Sequence, residues 1–220
     1  MMILVNFKLY KETFGKKGVE LAKIVKEVGK EYGIRTVVAA SALEALNIYK
    51  ETGVEMWLQN VDEYNEGRGT GHISSLQAME AGIKGSLLNH SEHKIPRGKI
   101  FQILKQKAKG FEIMVCLASV GQMEKWTNKS RPDWVLYEPP ELIASKDKSV
   151  ASEMSGSAKR MIEVAGKTPV IIGAGVKNKK DGEISLKIGA KGVGLSSAFV
   201  LAKDPKKILS EIACGLCAKI

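Results

Sequence analysis

No stretch of this chain approaches the roughly 20 consecutive apolar residues that a membrane-crossing helix needs. Nor does a secretory pattern precede the strand-like Ile3-Leu4-Val5-Asn6. A membrane partner is not expected, and a cytoplasmic location is. Cysteine is scarce: Cys116, Cys214 and Cys217 are too few for a disulfide framework and suit a reducing compartment. Cys214 and Cys217 match C-x-x-C, but they fall at the far end of the last expected helix, where the dipole disfavours a thiolate. Zinc would need two further ligands, and Cys116 falls on an expected strand, so no metal site is read here. Arginine is scarce too. Arg35, Arg68, Arg97, Arg131 and Arg160 are the only arginines among the 34 basic residues, and the lysines are scattered without an interleaved aromatic stripe. A dedicated nucleic-acid reader would show such a stripe or a basic face. The net charge of +10 instead favours anions in general, phosphorylated metabolites among them.

What the chain does have is a repeat of short apolar segments. They are Ile3–Asn6, Thr36–Ala39, Met56–Gln59, Gly85–Leu88, Glu112–Cys116, Trp134–Tyr137, Pro169–Ile172 and Gly192–Leu195. Most do not alternate internally, as expected of strands buried on both faces. Helical segments lie between them. In 20–28, Leu21, Ile24, Val25 and Val28 form one stripe. Ser41 and Glu44 read as a capping box, and Ser74 as the cap of a helix over 75–81. Gly33, Gly53, Gly82, Gly110, Gly166 and Gly189 stand where helices should stop. Strand, helix and glycine repeated eight times indicate a parallel α/β protein. Eight units in 220 residues point to one closed (β/α)8 barrel domain over 1–220. Periodicity cannot detect closure, so a doubly wound sheet is the competing reading.

Parallel strands present ligands at their carboxyl ends. The residues there are Asn6 and Lys8 after the first segment and Gln59 with Asn60 after the third. Asn89-His90-Ser91-Glu92 follows the fourth, Glu138 the sixth, Gly173-Ala174-Gly175 the seventh and Leu195-Ser196-Ser197 the eighth. Glu138 precedes Pro139 and Pro140, which hold it in extended geometry at the strand end. His90 precedes a segment expected to turn helical, and a helix N-terminus disfavours an imidazolium. The turns after the seventh and eighth strands suit phosphate held on backbone N–H groups. A base, an imidazole, an ammonium and two small-residue turns thus converge on one face.

Asn6-Phe7-Lys8, Asn89-His90-Ser91-Glu92 and Tyr137-Glu138-Pro139, in that order, resemble triosephosphate isomerase. The shortness of the chain, with Glu138-Pro139-Pro140-Glu141-Leu142-Ile143 and Gly173-Ala174-Gly175, is most similar to the archaeal-type branch. The resemblance covers essentially the whole chain. It implies interconversion of dihydroxyacetone phosphate and D-glyceraldehyde 3-phosphate through an enediolate, without metal or organic cofactor. By the same resemblance Glu138 is the general base, His90 the electrophile, and Lys8 the cation for developing charge and phosphate. Asn6 orients Lys8 and the substrate, Glu92 and Asn89 support the site, and Gln59 and Cys116 occupy positions that match the family. Gly173, Ala174, Gly175, Leu195, Ser196 and, on a lid, Ser145 would bind the phosphate end. The loop Asp62–Gly71 would carry Thr70 into a neighbouring subunit of a homodimer or homotetramer. A lid usually rich in glycine here reads Ala144-Ser145-Lys146-Asp147-Lys148-Ser149, which predicts a stiffer loop. The alternatives are a phosphate-binding barrel without turnover and another sugar-phosphate isomerase.

Overall fold

A computed structural model describes residues 1–126, 131–139 and 153–218. Eight parallel strands pair each with the next, and the last with the first, so the sheet closes into a barrel. The strands are β1 (Met2–Asn6), β2 (Arg35–Ala40), β3 (Glu55–Leu58), β4 (Gly85–Leu88), β5 (Glu112–Leu117), β6 (Trp134–Tyr137), β7 (Val170–Ile172) and β8 (Gly192–Leu195). The described helices outside it are α1 (Gly15–Tyr32), α2 (Ala42–Thr52), α3 (Ser75–Glu80), α4 (Arg97–Gln106), α5 (Val120–Glu124), α6 (Ser155–Ala165), α7 (Lys179–Lys187), α8 (Ser197–Val200) and α9 (Pro205–Leu216). Closure decides against the doubly wound sheet.

The strands lack internal alternation in polarity because both of their faces are buried. Side chains nevertheless alternate in direction, as the pleat requires. Met2 and Leu4 of β1 belong to the cluster inside the barrel, with Val37, Ala39, Trp57, Leu87, Met114, Cys116, Leu136 and Ile171. Ile3 and Val5 belong to the outer cluster between strands and helices. The same period of two, carried one step past the last inward residue, reaches Asn6, Gln59, Asn89, Glu138 and Gly173. Filling the barrel and building its upper rim are therefore one sequence pattern.

At the opposite end the barrel is closed by charge. Arg35 on β2 donates to Glu55 on β3 through Nε at 3.0 Å, and to both carboxylate oxygens of Glu112 on β5. Trp57 and Trp134 donate to the same two carboxylates and lie against the guanidinium, with ring centroids 5.8 and 5.9 Å away. Arginine's planar fork suits this two-carboxylate, two-ring arrangement better than a lysine would.

Two local expectations hold. Gly33 and Gly53 end α1 and α2 in the left-handed conformation, and Ser74 accepts from the N–H groups of Leu76 and Gln77. The capping box at Ser41 does not form. Its side chain makes no cap bond, and Glu44 Oε2 accepts instead from the N–H of Gly15, at 3.0 Å. A helix start more distant in sequence outcompetes the local partner, and Glu44 ties α2 to the first turn of α1.

Candidate active site

Glu138 follows β6 directly, and its N–H is held by the carbonyl of Leu117 at 2.9 Å. Its carboxylate lies against Gly173, which follows β7. A Cβ on Gly173 would sit 2.6 Å from Glu138 Cγ and 2.8 Å from Oε1. Gly173 is thus the space that Glu138 occupies, while Ala174 and Gly175 line the cleft beyond it. Glu138 Oε2 is buried without a hydrogen-bond partner among the described residues. Burial pushes the carboxyl up to about 7; Glu92 adds to the rise, while Lys8 and Lys94 oppose it. An acceptor left unpaired in that way is poised to take a proton.

His90 Nε2 stands 3.5 Å from Glu138 Oε2. Its Nδ1 accepts the N–H of Glu92 at 3.3 Å, so the neutral ring carries its proton on Nε2, facing the base. Burial holds the imidazole down at about 4, helped by the charges of Lys8 and Lys94 and opposed by Glu92. The expected cause was different: α4 begins only at Arg97, so no helix N-terminus lies at His90. A tight turn, closed by His93 N–H to the His90 carbonyl at 2.9 Å, stands there instead. Neutrality survives, through burial and nearby ammonium groups.

Lys8 reaches Glu92, Nζ to Oε1 at 2.6 Å. Its own N–H donates to Asn6 Oδ1 at 3.0 Å, and Gln59 Nε2 donates both to that oxygen and to the Lys8 carbonyl. Asn89 donates to the Cys116 carbonyl at 2.9 Å and ties β4 to β5. Cys116 itself is buried inside the barrel, where desolvation and then Glu138 push its thiol up, so it stays protonated. The non-glycine residues with left-handed backbone among those described are Lys8, Asn89 and Ala174, with φ of 48°, 60° and 63°. All three follow barrel strands on the same rim. Each such residue costs on the order of 1–2 kcal/mol, and strain of this kind gathers where side chains must be aimed.

Lys8, His90 and Glu138 line one cleft with Asn6, Tyr10, Ala174, Gly175, Leu195, Ser196 and Ser197, enclosing a cavity of about 80 Å³. The expected catalytic and phosphate-side residues are thereby brought together, Gly173 serving from beneath. Thr70 is not brought there: it is exposed on the loop between β3 and α3. Ser145 and the expected lid lie outside the described residues. Among the described residues, no group of three or more His, Cys, Asp or Glu is placed to hold a metal ion.

The residues missed from sequence are Tyr10, Lys94 and Lys177. Tyr10 and Lys177 line the cleft, and Lys94 Nζ donates to the Asn89 carbonyl at 3.1 Å. The strand-end rule would have reached Lys177 had it been followed two residues past Gly175.

The sequence profile of triosephosphate isomerase matches residues 1–212. The chain belongs to the triosephosphate isomerase family. It is 35% identical over 213 residues to the triosephosphate isomerase of Thermoplasma volcanium, an alignment covering 96% of this chain and 98% of that one. It is 35% identical over 215 residues to that of Archaeoglobus fulgidus, covering 96% of each chain. With the triosephosphate isomerase of Methanocaldococcus jannaschii the figures are 32% over 216 residues, covering 96% and 98%. The fold, the isomerase class and the triose phosphate substrate implied by the resemblance thus stand, as does the likeness to archaeal forms.

Proposed function

We propose that this isomerase interconverts dihydroxyacetone phosphate and D-glyceraldehyde 3-phosphate with Glu138, His90 and Lys8 as its reacting groups. The observation that carries the assignment is the Glu138–His90 pair. Two titratable groups 3.5 Å apart have been moved in opposite directions, the carboxyl up to about 7 and the imidazole down to about 4. Near neutral pH that gives a base and a neutral donor side by side, which aldose–ketose isomerisation requires.

Glu138 takes the proton from the carbon next to the carbonyl and returns it to the neighbouring carbon. The developing enediolate oxygens accept from the Nε2–H of His90 and the ammonium of Lys8, donors already in place and so needing little reorganisation, and His90 passes the hydroxyl proton from one of these oxygens to the other. Asn6 and Gln59 hold the strained backbone at Lys8, and Glu92 holds its ammonium. The phosphate rests on the rim formed by Ala174, Gly175, Leu195 and Ser196, where its binding energy can be used in the transition state. Neither a metal nor an organic cofactor enters this scheme, and the cytoplasm suits its soluble phosphorylated substrate. A coupled assay with glyceraldehyde 3-phosphate tests the reading. Glu138→Gln should lose about 10³-fold or more in kcat at little change in KM; an unchanged rate would end the assignment.

We further propose self-association as a homodimer or homotetramer through the loop over 59–74. That loop is internally built rather than loose. Asp62 and Ile73 exchange bonds, Ser74 donates to the Asn65 carbonyl, and Tyr64 packs on His72 with centroids 4.2 Å apart. Thr70 is exposed on it and does not line its own chain's cleft, while Leu9 and Phe14 on the β1–α1 loop and Leu43 and Leu46 on α2 are exposed apolar residues. A recess of about 340 Å³ beside Lys8, lined by Leu9, Gln59, Asn60 and Glu92 among others, is open to a second copy's loop.

A further inference from the structure

Lys177 stands two residues past Gly175 in the β7–α7 connection and lines the same cleft as Ala174, Gly175, Ser196 and Ser197. Among the described residues its ammonium enters no ion pair or hydrogen bond. Its backbone N–H is engaged, donating to Asp181 Oδ2 at 3.0 Å, and this fixes where the residue leaves the strand end. Lys8 differs: its ammonium lies 2.6 Å from Glu92, so part of its charge is already answered. On the same wall as Lys177, Ser196 Oγ is buried with no partner among the described residues.

The charge balance of the cleft then favours one occupant. A phosphate monoester carries between one and two negative charges near neutral pH, and the ionised Glu138 adds another to the same space. Lys8, which serves both the reacting oxygens and the phosphate, is already shared with Glu92. Two or more negative charges thus meet one partly answered ammonium, and Lys177 is the cleft residue that adds a second. We propose that Lys177 is a phosphate-binding residue of this site and a determinant of its affinity for phosphate-bearing trioses. This rests on the triose phosphate reading of the cleft. Because the residue is only partly buried, its effect is screened by salt.

Inorganic phosphate serves as the probe. Its binding is measured by calorimetry and as competitive inhibition, beside kcat and KM for glyceraldehyde 3-phosphate. Lys177→Met should weaken phosphate binding and raise KM about tenfold each, with kcat within about twofold of wild type. The difference should shrink as ionic strength rises. Lys177→Arg should restore most of the loss, and Lys180→Met, three positions along and outside the cleft lining, should change neither quantity. Lys177→Gln with an unaltered melting temperature guards against a folding artefact and should behave as Lys177→Met does. Unchanged phosphate affinity in Lys177→Met and Lys177→Gln, with an active wild type, overturns the inference and leaves the isomerase reading intact. An equal loss in Lys180→Met overturns it as well, because the effect would then be general charge. A wild type that binds phosphate through Lys177 but does not turn over overturns the isomerase reading alone.

Discussion

Gly173→Ala adds one methyl group at the place where the base is held. That Cβ would lie 2.6 Å from Glu138 Cγ, 2.8 Å from Oε1 and 2.8 Å from Leu136 Cδ1. Carbon atoms settle at about 3.5–4.0 Å from one another, so the overlap with Cγ is about 1 Å. The backbone cannot readily relieve it. Gly173 N–H donates to the Tyr137 carbonyl at 2.9 Å, and Glu138 is the next residue along that strand, so the two rims are tied. Gly173 does not adopt a left-handed φ, so alanine brings no backbone strain and the perturbation is purely steric. The carboxylate must therefore move by about 1 Å, and a shift of that size in a reacting group costs roughly 10²-fold in rate. Overpacking costs about 1–3 kcal/mol. In a chain of 220 residues that is about 2–4 °C of melting temperature per kcal/mol, so the variant should be folded when assayed. The expected result is a kcat down about 10²-fold with KM little changed, since the phosphate rests on other residues. Wild-type kcat in a folded Gly173→Ala enzyme would refute the claim that this contact positions Glu138.

With Glu138 raised to about 7, kcat/KM should fall about tenfold per pH unit below that value as the base takes up a proton, whereas His90, held at about 4, adds no loss until far lower pH; a flat profile from pH 8 to 5 contradicts this. The raised carboxyl also costs stability above its unfolded value of 4.5 and up through about 7, so Glu138→Gln should melt higher than wild type at pH 8 and equally near pH 4. Light scattering at micromolar concentration should give a mass of two or four chains, and a fully active monomer would rule out the assembly through the loop over 59–74.

Much of this was legible because barrel strands obey a short-range rule. Eight apolar segments, each followed by a helix and a stop, mark the strands to within a residue or so, and the residues after six of them mark the rim. Gly33, Gly53 and Ser74 carry their meaning in φ or in a bond two or three residues away, so local reasoning sufficed for them. Glu44 shows the limit. Its sequence spacing matches a capping box, but its partner is Gly15, 29 positions away.

The sequence by itself determined the order of strands and helices, the placing of Asn6, Lys8, His90 and Glu138 on one rim, and the extended backbone that Pro139 imposes on Glu138. These follow from pleat, helix period and proline geometry, which act over a few residues. Only the tertiary structure decided what those groups are chemically. The raised carboxyl of Glu138 comes from burial in the closed barrel, and its room comes from Gly173 just past the next strand. His90 stays neutral first because its ring is buried, and then because Lys8 and Lys94 stand near it, not because a helix begins there. Charge and desolvation depend on distance in space, and closure of the barrel is what sets those distances.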